Sequence, residues 1–516
     1  MQQSQSKQQV GGILGFIERI GNKIPDITIL FISAFILVCV VSAVLAQIHF
    51  NYVHPATGRP IEITNMLSDK ALVDLMSKMV TNYANFPPLS MVIIATLGIG
   101  IADGSGYINT GLKKILSITP KVLITPVVIL VGMLSHLGPD SGYVIIIPIA
   151  AYMFYAVGKH PLAGIAASFA GIAGAFAANY TPSAIDPVIQ GFTQSAAQII
   201  DPGYQVNVLC NYFYAFASTF IVIGACWWVT EKITNPWLWK ACPLDDDLDL
   251  GNENNSSITP SENRAFKIAT AVLLLMLTGL AAALYPADSI LRAPDGVIAS
   301  FKAPIMQSIV SLIFIFAALV GLVYGIACGK FKSPKDVTAA MEEITKTLVQ
   351  LIVFYFFAAQ FLYAFGASNM GALIAVSGAE FLKSLNLPPQ VTVFGIIVFV
   401  ALLNLIITSA SAKWAILAPI FVPMLMAVGI APELTQVAFR VSDSAVNVVT
   451  PMFAFYPLII LYCQKYVKNA GIGTLSSMML PYTIALLVSL TFMLYLFWWL
   501  DIPLGFQADY VYPRRF

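Results

Sequence analysis

The chain has 516 residues, 58% of them hydrophobic and 10% charged, with a formal net charge of +1 and a mean hydropathy of +0.81. Soluble domains hold roughly 45–50% apolar and about 25% charged residues, so the composition excludes that class and describes an all-α polytopic membrane protein. There is no dense basic patch for nucleic acid. Six cysteines, scattered without a C-x-x-C pair, suggest neither a disulfide framework nor a zinc site.

Apolar runs that approach or reach the ~20 residues needed to cross a bilayer core predict spans, in chain order. They fall at about 24–48, 86–103, 161–200, 207–230, 265–285, 304–326, 345–366, 432–462 and 478–500. Those at 161–200 and 432–462 are interrupted by polar and helix-breaking residues. The run at 24–48 is read as an uncleaved first span, because it is longer than the apolar region of a signal peptide and lacks an obvious A-x-A site. Two further stretches, 122–158 and 390–430, are too long for one crossing and carry a polar interruption midway. Read as re-entrant hairpins they leave nine transmembrane helices; read as paired crossings they leave the same sidedness. With the N-terminus inside, seventeen basic residues fall on inner segments and eight on outer ones, with Lys413 and Arg440 left at membrane depth. That obeys the positive-inside rule and puts the C-terminus outside. The insertion at 231–264, with Asp245, Asp246, Asp247, Asp249 and Glu253, reads as a solvated inner loop.

An internal match connects the two long stretches. Pro148-Ile149, Ala156-Val157-Gly158 and Pro161 recur 271 positions later as Pro419-Ile420, Ala427-Val428-Gly429 and Pro432. Thr181-Pro182 is echoed by Thr450-Pro451 after a two-residue slip. The charge-derived sidedness opens the first hairpin inward and the second outward, which makes an inverted repeat. Many secondary transporters share that plan and place the substrate at midplane, where interrupted helices meet. The implied organisation is 1–120 scaffold, 121–200 first core repeat, 201–389 scaffold, 390–462 second core repeat, and 463–516 last span and C-terminus.

Candidate functional residues sit at the interruptions. The first tip runs from Ser135 through His136, Gly138, Pro139, Asp140 and Ser141; the second, Thr408 to Ala412, contains Ser409 and Ser411. Small hydroxyl residues there can satisfy freed backbone groups or simply pack helices closely. The broken spans contribute Asn179, Asp186, Arg440, Asp443 and Asn447. Charges at membrane depth cost at least ~2.5–3.5 kcal/mol on insertion scales, so they need a reason. Arg440 and Asp443 are three apart, share a helix face and are expected to pair. Such a pair either holds the broken helix together or presents Arg440 as a fork for a substrate carboxylate, with Asp443 orienting it. Asp186 has no cation nearby in sequence. It is a candidate for proton or ion coupling, for substrate binding, or for a plain helix cap. Trp414 offers a platform for an aromatic ring or an interfacial anchor, and Lys413 beside it can snorkel and is expected to be structural. Asn404, Thr408, Asn447 and Thr450 are candidates to hold a sodium ion, though no spacing demands one. No H-E-x-x-H, G-x-S-x-G or P-loop occurs, and Ser135, His136 and Asp140 crowd one tip without triad geometry, so the chain is not expected to be an enzyme.

The segments "SASAKWAILAPIFVPMLMAVG", "RVSDSAVNVVTP" and "GKHPLAGIAASFAGIAGAFAAN…IDP", with "ERIGNKIPDITILF" and "GTLSSMMLPY", resemble the AbgT family of p-aminobenzoyl-glutamate transporters over nearly the whole chain. The resemblance implies a homodimer in the bacterial inner membrane, surrounded by lipid, with nine spans, two hairpins and an elevator-type fold of the ion-transporter superfamily. It implies import of p-aminobenzoyl-glutamate or export of sulfonamide antimetabolites, driven by a proton or sodium gradient and with no cofactor. The family's important positions match Asp186, Ser411, Trp414, Pro432, Arg440 and Asp443 in type, and Asp140 falls where the family carries an acid. A dicarboxylate–sodium symporter of the same superfamily and an ion or solute channel are the competing readings.

Overall fold

The computed structural model describes residues 25–54, 58–135, 141–245 and 258–513, apart from the Ser141 side chain. Among them the chain is helical throughout, with only two isolated bridges, Val53 to Pro60 and Ile430 to Val511. The first helices are α1 (Ile27–Leu45), α2 (Asp69–Ala84), α3 (Pro87–Ser105), α4 (Tyr107–Ser117), α5 (Ile124–Leu134), α6 (Ser141–Ala156), α7 (Pro161–Ala173) and α8 (Ile185–Ala197). Next come α9 (Tyr212–Val229), which runs through a π turn at Thr230–Thr234 into α10 (Asn235–Ala241), then α11 (Pro260–Leu284), α12 (Pro304–Gln307) and α13 (Ile309–Ala327). The remainder are α14 (Pro334–Lys346), α15 (Val349–Ala367), α16 (Met370–Ser384), α17 (Pro389–Asn404), α18 (Ala410–Met426), α19 (Pro432–Val446), α20 (Tyr456–Gln464) and α21 (Ile472–Trp499).

Seven helical stretches among the described residues are long and apolar enough to cross a membrane, or nine if two sharply bent pairs each count as one span. Those pairs are α4 with the segment Lys121–Leu134, bent by 119°, and α16 with α17, bent by 117°. Every predicted apolar run contains a helix, and the interruptions expected in 161–200 and 432–462 fall between α7 and α8 and between α19 and α20. The apolar pattern did not reveal α2, α4, α10, α14 or α16. These are short or carry polar residues on one face, as in α14 with Lys335, Asp336, Glu342 and Glu343.

Helix ends follow local chemistry. Thr259 and Glu262 form a capping box at the start of α11, and prolines occupy the first turn of α3, α7, α17 and α19, where the missing N–H costs nothing. The turns that end α6 and α18 are built alike. Val157, Gly158 and Lys159 donate backbone N–H groups to Phe154, Tyr155 and Phe154. Val428, Gly429 and Ile430 donate to Leu425, Met426 and Leu425, the same pattern 271 residues on. Gly158 and Gly429 both hold positive φ, at 78° and 87°, which glycine adopts without steric cost.

Close packing sets the relation of the first arm to the broken span beside it. A Cβ on Gly132 of α5 would lie 2.9 Å from the Ser168 carbonyl oxygen of α7, and one on Gly171 of α7 would lie 2.5 Å from the Ile129 carbonyl oxygen. Small residues allow that approach in membrane helices, where packing rather than hydrophobicity drives association.

Candidate functional site

The ends of four interrupted elements enclose one cavity of about 420 Å³. Ser135, Gly142 and Tyr143 reach it from the facing ends of α5 and α6, Thr408, Ala410 and Ser411 from the break after α17 and the start of α18. Phe176, Asn179 and Ser183 come from the break between α7 and α8, Ile185 from the start of α8, and Asp443, Asn447 and Phe453 from α19 and the break after it. Val92, Thr96 and Ile99 of α3, with Leu348 and Leu351 near the start of α15, close the remaining side. The first break is stitched to α19: Ala177 donates its backbone N–H to Ser444 Oγ at 2.6 Å, and Ser444 in turn donates to the Arg440 carbonyl at 2.8 Å. Thr450 Oγ1 donates to the Leu405 carbonyl at 2.7 Å, tying the second break to the second tip.

The expected Arg440–Asp443 pair is replaced by two separate ion pairs. Arg440 Nη1 lies 2.7 Å from Asp186 Oδ1, and both side chains are almost wholly buried. Asp186 Oδ2 accepts from the backbone N–H and hydroxyl of Ser183, at 2.7 and 3.0 Å. Asp186 therefore does have a cation, but one 254 residues away, and the local cap and the ion pair use different oxygens of one carboxylate. Asp443 instead meets Lys413, with Nζ 2.6 Å from Oδ1 and neither side chain exposed. Lys413 also donates to Asn404 Oδ1, while Asn404 Nδ2 donates to Asn447 Oδ1 at 3.0 Å and to the Asp443 carbonyl at 2.8 Å. Snorkelling is thus ruled out for Lys413. It lies in the first turn of α18 and points at α19, because pairing a buried ammonium locally is cheaper than leaving it alone in a low-dielectric interior.

Trp414 is 1% exposed and does not line the cavity. It stacks on Phe439 with ring centroids 4.4 Å apart, and its Nε1 donates to Thr193 Oγ1 at 2.9 Å. The Thr193 hydroxyl donates to Gln436 Oε1 at 2.6 Å, and Gln436 Nε2 donates to Asn211 Oδ1 at 2.7 Å. One chain of hydrogen bonds therefore joins α18, α8, α19 and the start of α9. Pro432 is buried in the first turn of α19, away from the cavity. Ser409 is exposed and caps α18, accepting from the Ala412 N–H at 3.4 Å. The second break accordingly runs over 405–409, a little earlier than Thr408–Ala412. Of the first tip, Ser135 is buried and donates to the Gly132 carbonyl at 2.6 Å; His136, Asp140 and the Ser141 side chain lie outside the described residues.

Sequence reasoning missed the aromatic wall. Tyr143, Phe176 and Phe453 line the cavity, Tyr143 stacks on Phe455 at 4.1 Å and 4°, and Phe453 packs on Tyr143 and Phe169 at 5.8 and 5.9 Å. These rings lie far apart in sequence among many other aromatics, so nothing local marked them.

The family model for the AbgT putative transporter family matches residues 12–512. The chain belongs to that family. The AbgT chain is 33% identical to the p-aminobenzoyl-glutamate transport protein of Escherichia coli strain K12 over 511 residues, covering 99% of this chain and 98% of the relative. Among solved structures it is similar to the MtrF antimetabolite efflux pump of Neisseria gonorrhoeae, with TM-score 0.90, 39% identity and coverage of 96% and 100% of the two chains. The YdaH transporter of Alcanivorax borkumensis gives TM-score 0.87, 36% identity and coverage of 93% and 100%. The protein is an AbgT-family membrane transporter and not an enzyme.

Proposed function

We propose that this transporter carries p-aminobenzoyl-glutamate or a sulfonamide-type antimetabolite through the 420 Å³ cavity, driven by an ion gradient. The observation that carries the reading is that both hairpin ends and both helix breaks meet at one aromatic and polar chamber. The printed functions of the Escherichia coli and Neisseria gonorrhoeae relatives supply the two substrate classes. Tyr143, Phe176 and Phe453 suit an aminoaryl ring through edge and offset contacts. Ser135, Asn179, Ser411 and Asn447 suit its amide or sulfonyl oxygens. A glutamate carboxylate needs a cation, and Arg440 is reached only by exchanging Asp186 for the substrate. A sulfonamide needs no such exchange.

The same reading includes nine crossings with two re-entrant hairpins, an inverted repeat of 121–200 and 390–462 moving as an elevator against the remaining scaffold, and a homodimer in the bacterial inner membrane. The N-terminus faces the cytoplasm and the C-terminus the periplasm. The matched turns after α6 and α18 and the matched 119° and 117° bends support the repeat. Proton coupling fits better than sodium, because Lys413 already presents its ammonium to Asp443 and Asn404, oxygens a sodium ion would need.

Proteoliposomes test this directly. Labelled p-aminobenzoyl-glutamate is expected to move against its gradient when a pH difference is imposed, without a sodium requirement. Strictly sodium-driven movement shared with simple dicarboxylates favours the symporter reading, and purely downhill flux favours a channel. Arg440→Ala is expected to weaken binding of the glutamate conjugate by at least about 30-fold, the cost of truncating a buried charge partner, with a far smaller effect on a sulfonamide.

A further inference from the structure

A second cavity, of about 630 Å³, lies away from the transport chamber, where the turns at the ends of α5, α6 and α9 meet. Three lysines line it: Lys121 from the 3₁₀ turn before α5, Lys159 from the turn after α6, and Lys232 from the π turn after α9. Their charges are not equivalent. Lys159 is spent on Glu231, which also accepts from Thr125 Oγ1 at 2.5 Å, so this carboxylate is held against α5. Lys121 and Lys232 are exposed and make no ion pair among the described residues. Among the described residues the groove therefore keeps two positive charges without an ion-pair partner.

The wall between them is apolar and open. Gly224, Trp227, Trp228 and Glu231 fall at i, i+3, i+4 and i+7, one face of α9 continued into the π turn. A Cβ on Gly224 would meet nothing within 4 Å, and Trp227 and Trp228 are 37% and 58% exposed. From Lys232 back to Gly224 the helix climbs about 12 Å at 1.5 Å per residue. Cations at one end, an aromatic collar beside them and an apolar trough leading away match a lipid: phosphate, glycerol region and acyl chain. Tryptophan favours that interfacial level, and basic pockets between membrane helices bind anionic head groups. Single π turns are rare and concentrate at functional places; this one carries both Glu231 and Lys232.

We propose that this groove is a binding site for one anionic phospholipid of the phosphatidylglycerol class. Its phosphate lies between Lys121 and Lys232, and one acyl chain runs past Trp227 over Gly224. Trp228 borders the glycerol region.

The test uses the full chain purified in neutral detergent, with bound lipid counted by native mass spectrometry. Phosphatidylglycerol is expected to be retained at least tenfold more tightly than phosphatidylethanolamine with the same chains. Lys121→Gln with Lys232→Gln is expected to lower phosphatidylglycerol affinity by about 30-fold, at roughly fivefold per lysine. Gly224→Leu, which fills the trough with both lysines in place, is expected to weaken it as well. Glycerol 3-phosphate displacing the lipid at equal concentration would make this a soluble-anion site and overturn the proposal. So would equal retention of the two lipids, or an unchanged affinity in either variant. If the double glutamine variant does not fold, Lys121→Arg with Lys232→Arg, expected to keep the preference, and Gly224→Leu decide the matter.

Discussion

Four buried charges, Asp186, Lys413, Arg440 and Asp443, cancel in two interhelical pairs, and of the four only Asp443 lines the transport chamber. The pairs tie α19 to α8 and to α18, so each is a structural tie as well as a chemical resource. Removing one partner leaves a buried charge unmatched and costs about 3–5 kcal/mol, whereas removing both is close to neutral. Thermal unfolding in detergent is therefore expected to show Lys413→Met strongly destabilised and Lys413→Met with Asp443→Leu largely restored. Transport is expected to fail in both variants, which separates the structural loss from the functional one. His160 behaves differently. Its Nδ1 accepts from the Leu162 N–H at 3.2 Å and its Nε2 sits 2.8 Å from the Cys242 carbonyl, an arrangement that a neutral ring with the proton on Nε2 satisfies. Burial holds its pKa below the ordinary value. The unfolded chain then takes up a proton first, near pH 6.5, so stability is level above that pH and falls as pH drops below it. Melting temperature followed from pH 7.5 to 5.5 is expected to decline in the native chain and to decline less in His160→Asn.

At the scale of elements, the helix ends do most to position the site. Gly158 and Gly429 close equivalent turns with positive φ. Space around Gly158 is open, and the nearest atom to a Cβ on Gly429 is the Tyr512 carbonyl oxygen at 3.6 Å, so an added methyl meets conformational strain rather than a clash. Gly158→Ala and Gly429→Ala are each expected to cost about 1–2 kcal/mol, with asparagine tolerated better, as read by melting temperature. Gly132→Leu is a different case, because its Cβ would lie 2.9 Å from backbone of α7. It is expected to disturb the packing of α5 on α7 and lower transport more than either turn substitution.

For the whole molecule, the apolar runs, their interruptions and the 271-residue match were legible because each depends on composition and spacing along the chain. Asp186, Arg440 and Asp443 were legible as important because charges in apolar surroundings stand out. Their partners were not. The three-residue spacing of Arg440 and Asp443 made a local pair attractive, yet α8 and α18 bring Asp186 and Lys413 to the same helix from outside, and each charge of α19 pairs with one of these instead. The aromatic wall of Tyr143, Phe176 and Phe453 was equally hidden among 33 phenylalanines and 21 tyrosines.

The sequence by itself determined that this is a multi-span helical membrane protein with four polar interruptions and charges that demand compensation, because membrane solvation acts on each residue according to its own chemistry. Only the tertiary structure decided which charge meets which, that Trp414 is a buried strut against Phe439 and Thr193 rather than a lining of the chamber, and that the breaks converge on one cavity. Those outcomes depend on distances between helices far apart in the chain, and packing alone fixes such distances.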